Sequence, residues 1–264
     1  PRDGAGDPAM QAPRMAAGGA AAPRGWAETR TAEGRLRLLH GPVDLILDLS
    51  GPAAEVAAAE AAARRAFTGL LEALVAELAL LRTAVSPASP DPVGPVARRM
   101  MAAVRPHAAL FVTPMAAVAG AVADHMLAAI RDAADLRRAM VNNGGDIALH
   151  LAPGEGCRIG IHDHRHFGRL AGVVGIAAAD GIGGVATSGW RGRSHSLGIA
   201  DAVTVLAATA AEADAAATMV ANAVDLHSID VALNNGSEVG AIFVGELRNP
   251  NEADFPVIAT TPEV

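Results

Sequence analysis

The order of helical and strand-like segments constrains the fold of this chain more than any other feature. Apolar residues spaced three and four apart predict long helices at Ala53–Leu81, Met115–Ile130 and Ala211–Leu226. Between the second and third helices lie short β-like runs separated by Gly- or Asn-rich turns, at Ala139–Asn142, Asp146–Leu151, Arg158–His162, Arg169–Ile176, Val185–Ser188 and Ala202–Leu206. Adjacent strand signals with helices before and after favour an α+β fold, with a mixed or antiparallel sheet and long packed helices, over a strictly alternating βαβ fold.

The flanking segments complete this organisation. They predict two short strands around a Gly-Pro turn, a short helix after a proline-rich loop, and a last strand: Arg35–His40, Val43–Leu49, Val96–Val104 and Phe255–Ala259. Residues 1–30 are rich in alanine, glycine and proline without any period, so we expect a disordered or loosely held leader. Residues 31–264 are then a single α/β domain.

The composition excludes several kinds of chemistry. Apolar residues make up 51% of the chain and aromatic residues only 3%, so the alanine-rich core must depend on close backbone approach. The absence of lysine excludes lysine Schiff bases and the P-loop lysine, and the absence of tyrosine excludes a tyrosine general acid. A net charge of -7 argues against a nucleic-acid partner, because proteins that bind nucleic acid usually carry a basic surface.

The cysteine content and the hydropathy pattern indicate a compartment. Cys157 is the only cysteine, so no internal disulfide can form, as is typical of a reducing environment. The longest apolar stretch, Ala108–Ala123, is interrupted by Pro114 and is shorter than the roughly 20 residues that a spanning helix needs. We therefore expect a cytoplasmic protein without membrane partners.

Three polar side chains form a stripe along the last predicted helix. Asp214, Thr218 and Asn222 recur every four residues among alanine, methionine and valine, so they share one helical face. Buried polar groups need partners, and a carboxylate and a hydroxyl one turn apart can contact one hard cation such as Mg²⁺. In the alternative interpretation, Asp214 lies in the first turn and Thr218 bonds back to a carbonyl four residues earlier.

Two glycine-containing turns are candidate phosphate-binding elements. The first, at residues 142–146, joins two strand signals, and its glycines can present backbone amides to an anion. A plain hairpin turn is the alternative. The second turn, at residues 183–189, carries small hydroxylated residues and suits a phosphate or a sugar, although a surface hairpin would look the same. Polar residues follow this second turn: Arg191, Arg193, Ser194 and His195.

Two further segments have both a structural and a ligand-binding interpretation. Ala116, Gly120 and Asp124 fall on one helical face with little side-chain bulk, so either another backbone or a flat ligand packs there. The histidine-rich segment 162–166 has the residue types of a zinc site. Because strand neighbours two residues apart seldom converge on one ion, a solvated hairpin is favoured there.

Five motif segments, taken in chain order, resemble the ApbE-like superfamily: PMAAVAGAVAD, NNGGDI, GVATSG, SHSLGIADAVTVLA and ADAAATMVANAV. FAD:protein FMN transferases are members of this superfamily. The similarity covers about residues 35–224 and is greatest to a cytoplasmic, uncharacterised branch once named as thiamine biosynthesis proteins. It implies a T-fold-related α/β architecture with a flavin-nucleotide site between the motif segments.

The resemblance also implies roles for individual residues. The metal ligands of the transferases fall on Asp214 and Thr218, and the helix that lends them a backbone carbonyl falls on Val118–Gly120. The implied cofactor-binding residues are Gly120, Asn143, Gly144, Gly145, Asp146, Thr187, Ser188, Gly189 and His195. The implied cofactors are FAD or FMN and Mg²⁺, and the implied partners are a flavin nucleotide and an acceptor protein.

The chain differs from the transferases in the segments expected to recognise the substrate. Ala119 stands where the transferases carry a lysine, and His195 runs into residues 196–198 (Ser-Leu-Gly) instead of an Asp-Pro-x-Thr-Gly stretch. Three hypotheses stay open. The protein is a Mg²⁺-dependent FMN transferase or FAD pyrophosphate-cleaving enzyme, a non-catalytic flavin- or nucleotide-binding module, or a structural homodimer that has lost the ligand.

Overall fold

A nine-stranded antiparallel sheet organises the part of the chain that the structure describes. This computed structural model describes residues 25–162, 170–190, 196–224, 242–248 and 254–260. Its strands are β1 (Ala27–Arg30), β2 (Leu36–His40), β3 (Val43–Ser50), β4 (Arg138–Asn143), β5 (Asp146–Leu151), β6 (Gly156–His162), β7 (Leu170–Ala177), β8 (Gly184–Ser188), β9 (Ala202–Ala207), β10 (Ile242–Arg248) and β11 (Asp254–Thr260). The sheet order is β1-β2-β3-β4-β5-β8-β9-β11-β10, and β6 and β7 form a separate antiparallel pair.

The helices lie before and after the central strands, which confirms the predicted α+β class. They are α1 (Ala53–Phe67), α2 (Leu70–Ala76), α3 (Leu78–Leu81), α4 (Pro95–Val104), α5 (Val118–Ala133) and α6 (Ala210–Ala223). A 3₁₀ turn at Pro114–Ala117 precedes α5, so the helix predicted from Met115 begins slightly later. None of the described helices combines the length and the apolar character needed to cross a membrane.

The single helix predicted at Ala53–Leu81 was wrong, because the chain breaks twice within it. Gly69 adopts a left-handed conformation, with φ of 77°, and ends the continuity between α1 and α2. A second break lies at Glu77, whose carboxylate accepts hydrogen bonds from the amides of Val93 and Gly94, each at 2.7 Å. The leucine periodicity continues through both breaks, because all three pieces pack on the same core.

The main core lies between strands β2 to β5 and helices α1 to α6. Buried and half-buried residues alternate along β3, where Leu45 and Leu47 point into this core. Phe67, Leu81 and Met100 are among its largest helical side chains, and all are almost fully buried. Alanine supplies much of the remaining helical surface, so the helices lie close to one another, as the composition indicates.

Strands β5, β8 and β9 are covered on both faces. On one face, Val203 and Val205 of β9 pack with the alanines of α6. On the other face, Val185 and Leu206 pack with Ile159 and Ile176 of the β6–β7 pair. All six residues of β9 are consequently buried, whereas a sheet with one solvated face would show alternation.

Two strands were not predicted from the sequence. β1 lies at the end of the segment predicted as a loosely held leader, and it pairs with β2 in register Ala27↔Leu39. β10 pairs with β11, the predicted last strand, and β11 pairs with β9. Residues 1–24, which make up the rest of the predicted leader, lie outside the described residues.

Candidate functional site

Helices α5 and α6 exchange hydrogen bonds through their buried carboxylates. On α5, Asp124 accepts hydrogen bonds from the amides of Ala210 and Ala211, the first residues of α6, at 3.0 and 2.9 Å. On α6, Oδ2 of Asp214 accepts a hydrogen bond from the amide of Gly120, near the start of α5, at 3.0 Å. The two helix N-termini are therefore fixed against each other, with the carboxylates between them.

Gly120 is required by this close approach. A Cβ atom built on Gly120 would lie 2.2 Å from the carbonyl oxygen of Ala210, a distance that real Cβ atoms do not show. The small-residue face of α5 is therefore occupied by the backbone of α6. This is the packing interpretation of that face, and it removes the alternative in which a flat ligand lies against it.

The first turn of α6 is capped without Asp214. Thr209 accepts a hydrogen bond from the Glu212 amide at 3.2 Å, and the Glu212 carboxylate accepts one from the Thr209 amide at 3.1 Å. This reciprocal capping box satisfies the helix N-terminus together with Asp124. Asp214 lies a turn further along, so the interpretation that places it in the first turn does not hold.

Thr218 is directed toward strand β8. Its hydroxyl donates to Oγ of Ser188 at 3.3 Å, and both residues are buried. The hydroxyl has a single proton, so it is not donated to the carbonyl four residues earlier. A carboxylate and two hydroxyls, from Asp214, Thr218 and Ser188, thus lie along the interface between α6 and the end of β8.

The turn between β4 and β5 is tied to both α5 and β8. Asn143 donates from Nδ2 to the carbonyl oxygen of Ala119 at 3.1 Å. Oδ1 of Asp146 accepts a hydrogen bond from the amide of Thr187 at 3.2 Å. The glycine turn and the β8 end, which the sequence singled out separately, are therefore neighbours in the structure.

The two glycines at the tip of this turn have a conformational reason to be glycine. Gly144 and Gly145 have φ of 67° and 117°, and the amide of Gly145 donates to Oδ1 of Asn142 at 2.8 Å. A Cβ built on Gly145 would meet nothing within 4 Å, so open space lies beside the turn. The hairpin interpretation of the turn is correct, and the open space leaves a ligand room to approach it.

Burial and neighbouring charge determine the protonation of Asp214. Its pKa lies well above the usual value, first because the carboxyl is buried and then because the Asp146 carboxylate is close. The amides of Gly120 and Ala119 oppose this shift. Among the described residues, the charges that act most strongly on Asp214 are thus those of other carboxylates. A cation between Asp214 and Asp146 would relieve this repulsion.

The structure brings together most of the predicted site residues and separates a few. Linked by the contacts above are Gly120, Asn143, Asp146, Ser188, Asp214 and Thr218. The Thr187 side chain instead bonds Thr204 at 2.9 Å on the opposite sheet face, and Asn222 accepts a hydrogen bond from the Leu197 amide at 2.7 Å. Gly189 packs its Cα against the carbonyl of Asp201, where a Cβ would lie at 2.1 Å.

Several sequence predictions lie outside the described residues, and one contributor to the site was missed. The undescribed residues include Arg191, Arg193, Ser194 and His195, together with residues 163–166 of the histidine-rich segment. Asp124, which holds the start of α6, was not predicted as part of the site. The available signal was its position on the small-residue face of α5, one turn from Gly120.

The described part of the site offers oxygen ligands and suits a hard cation. Asp214 and Thr218 provide a carboxylate and a hydroxyl one helical turn apart, two of the oxygen donor types that Mg²⁺ accepts. Among the described residues, no group of three or more His, Cys, Asp or Glu side chains could hold a metal ion. Mg²⁺ completes its shell with waters and substrate phosphates, so such a sparse protein set fits it.

The comparison with protein families decides the relationship of this chain. The family described as AbpE bacteria matches residues 26–246. The chain belongs to this family. It is accordingly an ApbE-like superfamily member, in agreement with the motif segments.

Relatives of similar sequence occur in archaea. A UPF0280 protein of Methanosphaerula palustris is 36% identical over 201 residues, which cover 73% of this chain and 81% of that protein. A UPF0280 protein of Methanopyrus kandleri is 36% identical over 152 residues, 58% of each chain. One from Methanothermobacter thermautotrophicus is 35% identical, with 58% of this chain and 59% of the relative matched. The chain thus spans under two thirds of these last two relatives.

Two solved structures show overall likeness at low sequence identity. The apo flavinyl transferase ApbE of Pseudomonas stutzeri aligns with 89% of this chain and 93% of its own, at 18% identity and a TM-score of 0.42. The ApbE protein of Thermotoga maritima aligns with 80% of this chain and 92% of its own, at 15% identity and a TM-score of 0.40.

Proposed function

We propose that this protein binds a flavin nucleotide together with Mg²⁺ and acts on the diphosphate of FAD, as an FMN transferase or an FAD pyrophosphate-cleaving enzyme. One observation supports the proposal above all. The buried Asp214 and Thr218 of α6 lie beside Ser188, the last residue of β8, and the half-buried Asp146, which opens β5 directly after the glycine turn. Membership of the ApbE-like superfamily supports the same class of ligand.

Each part of the cluster has a proposed task. Asp214 and Thr218 would hold the cation, and a phosphate would lie in the open space beside the turn at Gly144 and Gly145. A bound cation neutralises charge that develops on a cleaved diphosphate. Asn143 holds the Ala119 carbonyl in place, so the start of α5 keeps a fixed position.

The proposed reaction is a displacement at phosphorus. An oxygen from water, or from a hydroxyl group of an acceptor protein, forms a bond to the FMN phosphorus. The bond from this phosphorus to the oxygen that bridges to AMP breaks, AMP leaves with that oxygen, and the proton of the attacking hydroxyl passes to solvent.

The proposal also includes a cytoplasmic location and a homo-oligomeric assembly.

The test is an assay of FMN release with matched variants. Wild type, Asp214→Asn and Asp132→Asn are incubated with FAD and Mg²⁺, and FMN and AMP are quantified by liquid chromatography. Asp132 is an exposed carboxylate on α5, so its substitution controls for the loss of one charge. We expect Mg²⁺-dependent release by wild type and the control, and a loss of roughly 100-fold or more in Asp214→Asn. Equal release by all three would contradict the catalytic role of Asp214.

A non-catalytic flavin-binding module is the second candidate. Ala119 favours it, because the transferases carry a lysine at this position. Isothermal titration of the wild type with FAD distinguishes the two candidates. Mg²⁺-dependent binding without any FMN release selects the module, whereas absence of binding to FAD, FMN and AMP selects a protein that has kept the fold and lost the ligand.

A further inference from the structure

Trp190 lies at the edge of the candidate site. It follows Ser188, the last residue of β8, by two residues, and the Ser188 side chain bonds Thr218 of the candidate site. Its amide donates to the carbonyl of Ala200 at 3.0 Å, so pairing with the β9 side continues beyond β8. This bond is shifted by one residue from the β8–β9 register, in which Ser188 pairs with Val203, so the pairing becomes irregular at Gly189. Trp190 thus follows directly on the end of β8 that bonds Thr218 of α6.

A buried carboxylate holds the exposed indole. The Trp190 side chain is 48% exposed, whereas Asp201 is only 5% exposed. The indole Nε1 donates to Oδ1 of Asp201 at 3.0 Å, a hydrogen bond that the acceptor's charge strengthens. Gly189, between Ser188 and Trp190, lets the strand lie directly against the Asp201 carbonyl. The indole edge is therefore fixed while much of the ring surface stays open to solvent.

Trp26, the other tryptophan of the chain, packs as a structural residue at the rim of the core. Trp26 packs edge-on against Phe67, with ring centroids 5.4 Å apart and an interplanar angle of 87°. It belongs to the rim of the main core, on the side of β2 and α1. Trp190 has a polar tether and an exposed ring, which packing alone does not require.

We propose that the Trp190 indole stacks against the aromatic heterocycle of the nucleotide bound at the candidate site, with Asp201 as the positioning residue that fixes the plane of the indole. This inference rests on the proposed function, because it takes a flavin nucleotide as the ligand. Both ends of FAD carry a flat heterocycle, and aromatic side chains bind such rings by their π-faces. The turn at Gly144 and Gly145 would then contact the phosphates of the ligand, and the Trp190 indole would contact one of its rings.

Fluorescence can observe Trp190 alone. The Trp26→Phe variant leaves Trp190 as the sole tryptophan, because the chain has only two. This variant is titrated with FMN, FAD and AMP in the presence of Mg²⁺. We expect saturable quenching of Trp190 emission. Quenching by FMN would identify the isoalloxazine as the stacking ring, and quenching by AMP would identify the adenine.

Binding affinity tests the energetic contribution of the stack. Isothermal titration with FAD should show a loss of roughly 5- to 150-fold for Trp190→Ala, and Trp190→Phe should recover most of it. The control is Val93→Ala, which removes an apolar side chain that is 80% exposed near the start of α4. We expect it to bind FAD as tightly as the wild type.

The positioning role of Asp201 has its own readout. In the Trp26→Phe background, Asp201→Asn weakens the tether while keeping the side-chain shape. We expect lower steady-state anisotropy of Trp190 and weaker FAD binding. Asp201→Ala should enlarge both effects.

Two results separate this inference from the proposed function. If FAD binds the wild type but Trp190 emission does not change and Trp190→Ala binds within twofold of wild type, the stacking role is overturned and the flavin site stands. If no flavin nucleotide or AMP binds the wild type at all, the proposed function itself fails, and the stacking role fails with it.

Discussion

Asp124 and Asp214 are both buried carboxylates on alanine-rich helices, and each accepts hydrogen bonds from the backbone of the other helix. Asp124 uses both oxygens, one for each of two amides at the start of α6. Its pKa is raised by burial, but these amides and the Arg99 guanidinium oppose the shift. Asp214 accepts a hydrogen bond from the Gly120 amide, and the Asp146 and Asp124 carboxylates add to the effect of burial in raising its pKa.

This difference separates a structural carboxylate from a candidate ligand. The chain compensates Asp124 with two backbone amides and the Arg99 guanidinium, against which only the weaker influence of the Glu212 carboxylate adds to the effect of burial. Asp214 has like-charged neighbours among the described residues, an arrangement that costs stability unless a cation or a proton compensates it. Buried charge of this kind is typical of functional sites, where stability is lost in exchange for ligand binding.

The largest expected effect is that of Gly120→Ala, which should abolish the arrangement on which both carboxylates depend. The new Cβ would lie 2.2 Å from the Ala210 carbonyl, so α5 and α6 must separate. We expect a loss of about 3 kcal/mol in the free energy of unfolding, measured with urea. Gly175→Ala is the control, because its Cβ meets nothing within 4 Å, and it should be nearly neutral. Equal stability of both variants would show that the helix contact is not tight.

The next prediction separates the two carboxylates directly. Asp124→Ala leaves the Ala210 and Ala211 amides buried without acceptors, and we expect a loss of about 2 kcal/mol of stability. Asp214→Asn keeps an acceptor for Gly120 and removes a buried charge, so its stability in the absence of metal should equal or exceed that of wild type. Urea unfolding in EDTA measures both. If Asp214→Asn is the more destabilised of the two variants, the distinction between a structural Asp124 and a ligand-binding Asp214 is wrong.

The smallest expected effect is a pH dependence that belongs to Asp214. Because its pKa is raised in the folded state, that state holds the proton more tightly than the unfolded chain, where the pKa is about 3.9. Wild-type stability should therefore decrease as the pH rises through the raised folded pKa, and Asp214→Asn should lack this decrease.

The measurement is the difference in unfolding free energy between Asp214→Asn and wild type, taken without metal across a pH series. This difference should increase in favour of the variant with rising pH and level off once Asp214 is ionised. Titrations of groups that do not interact with Asp214 cancel in this difference, which therefore reports Asp214 together with the carboxylates of Asp146 and Asp124 that act on it. A difference that is constant with pH would mean that Asp214 has an ordinary pKa in the folded protein.

The sequence predicted the regular elements where the local pattern is strong. The β2–β3 hairpin, α4, β4, β5 and α6 lie where apolar periodicity and turn residues placed them. The pattern failed at residues 53–81, because leucines at helical spacing continue across Gly69 in a left-handed conformation. It also missed β1, since pairing with β2 stabilises this strand and its own four residues carry no apolar alternation.

The candidate site was predicted in part for the same reason. Spacing alone put Asp214, Thr218 and Asn222 on one helical face, and the structure retains that face. It did not show that Thr218 bonds Ser188 while Asn222 bonds the Leu197 amide. These partners come from segments roughly 25 to 30 residues away in sequence.

By itself the sequence determined the α+β class, the family motifs and the order of the polar residues, because these depend on local periodicity and residue type. Only the tertiary structure decided that Asp124 holds a helix N-terminus while Asp214 faces another carboxylate. A carboxylate's role depends on the donors and charges within a few ångströms of it. Here those groups arrive from positions more than 60 residues away, such as Ala210 for Asp124 and Asp146 for Asp214.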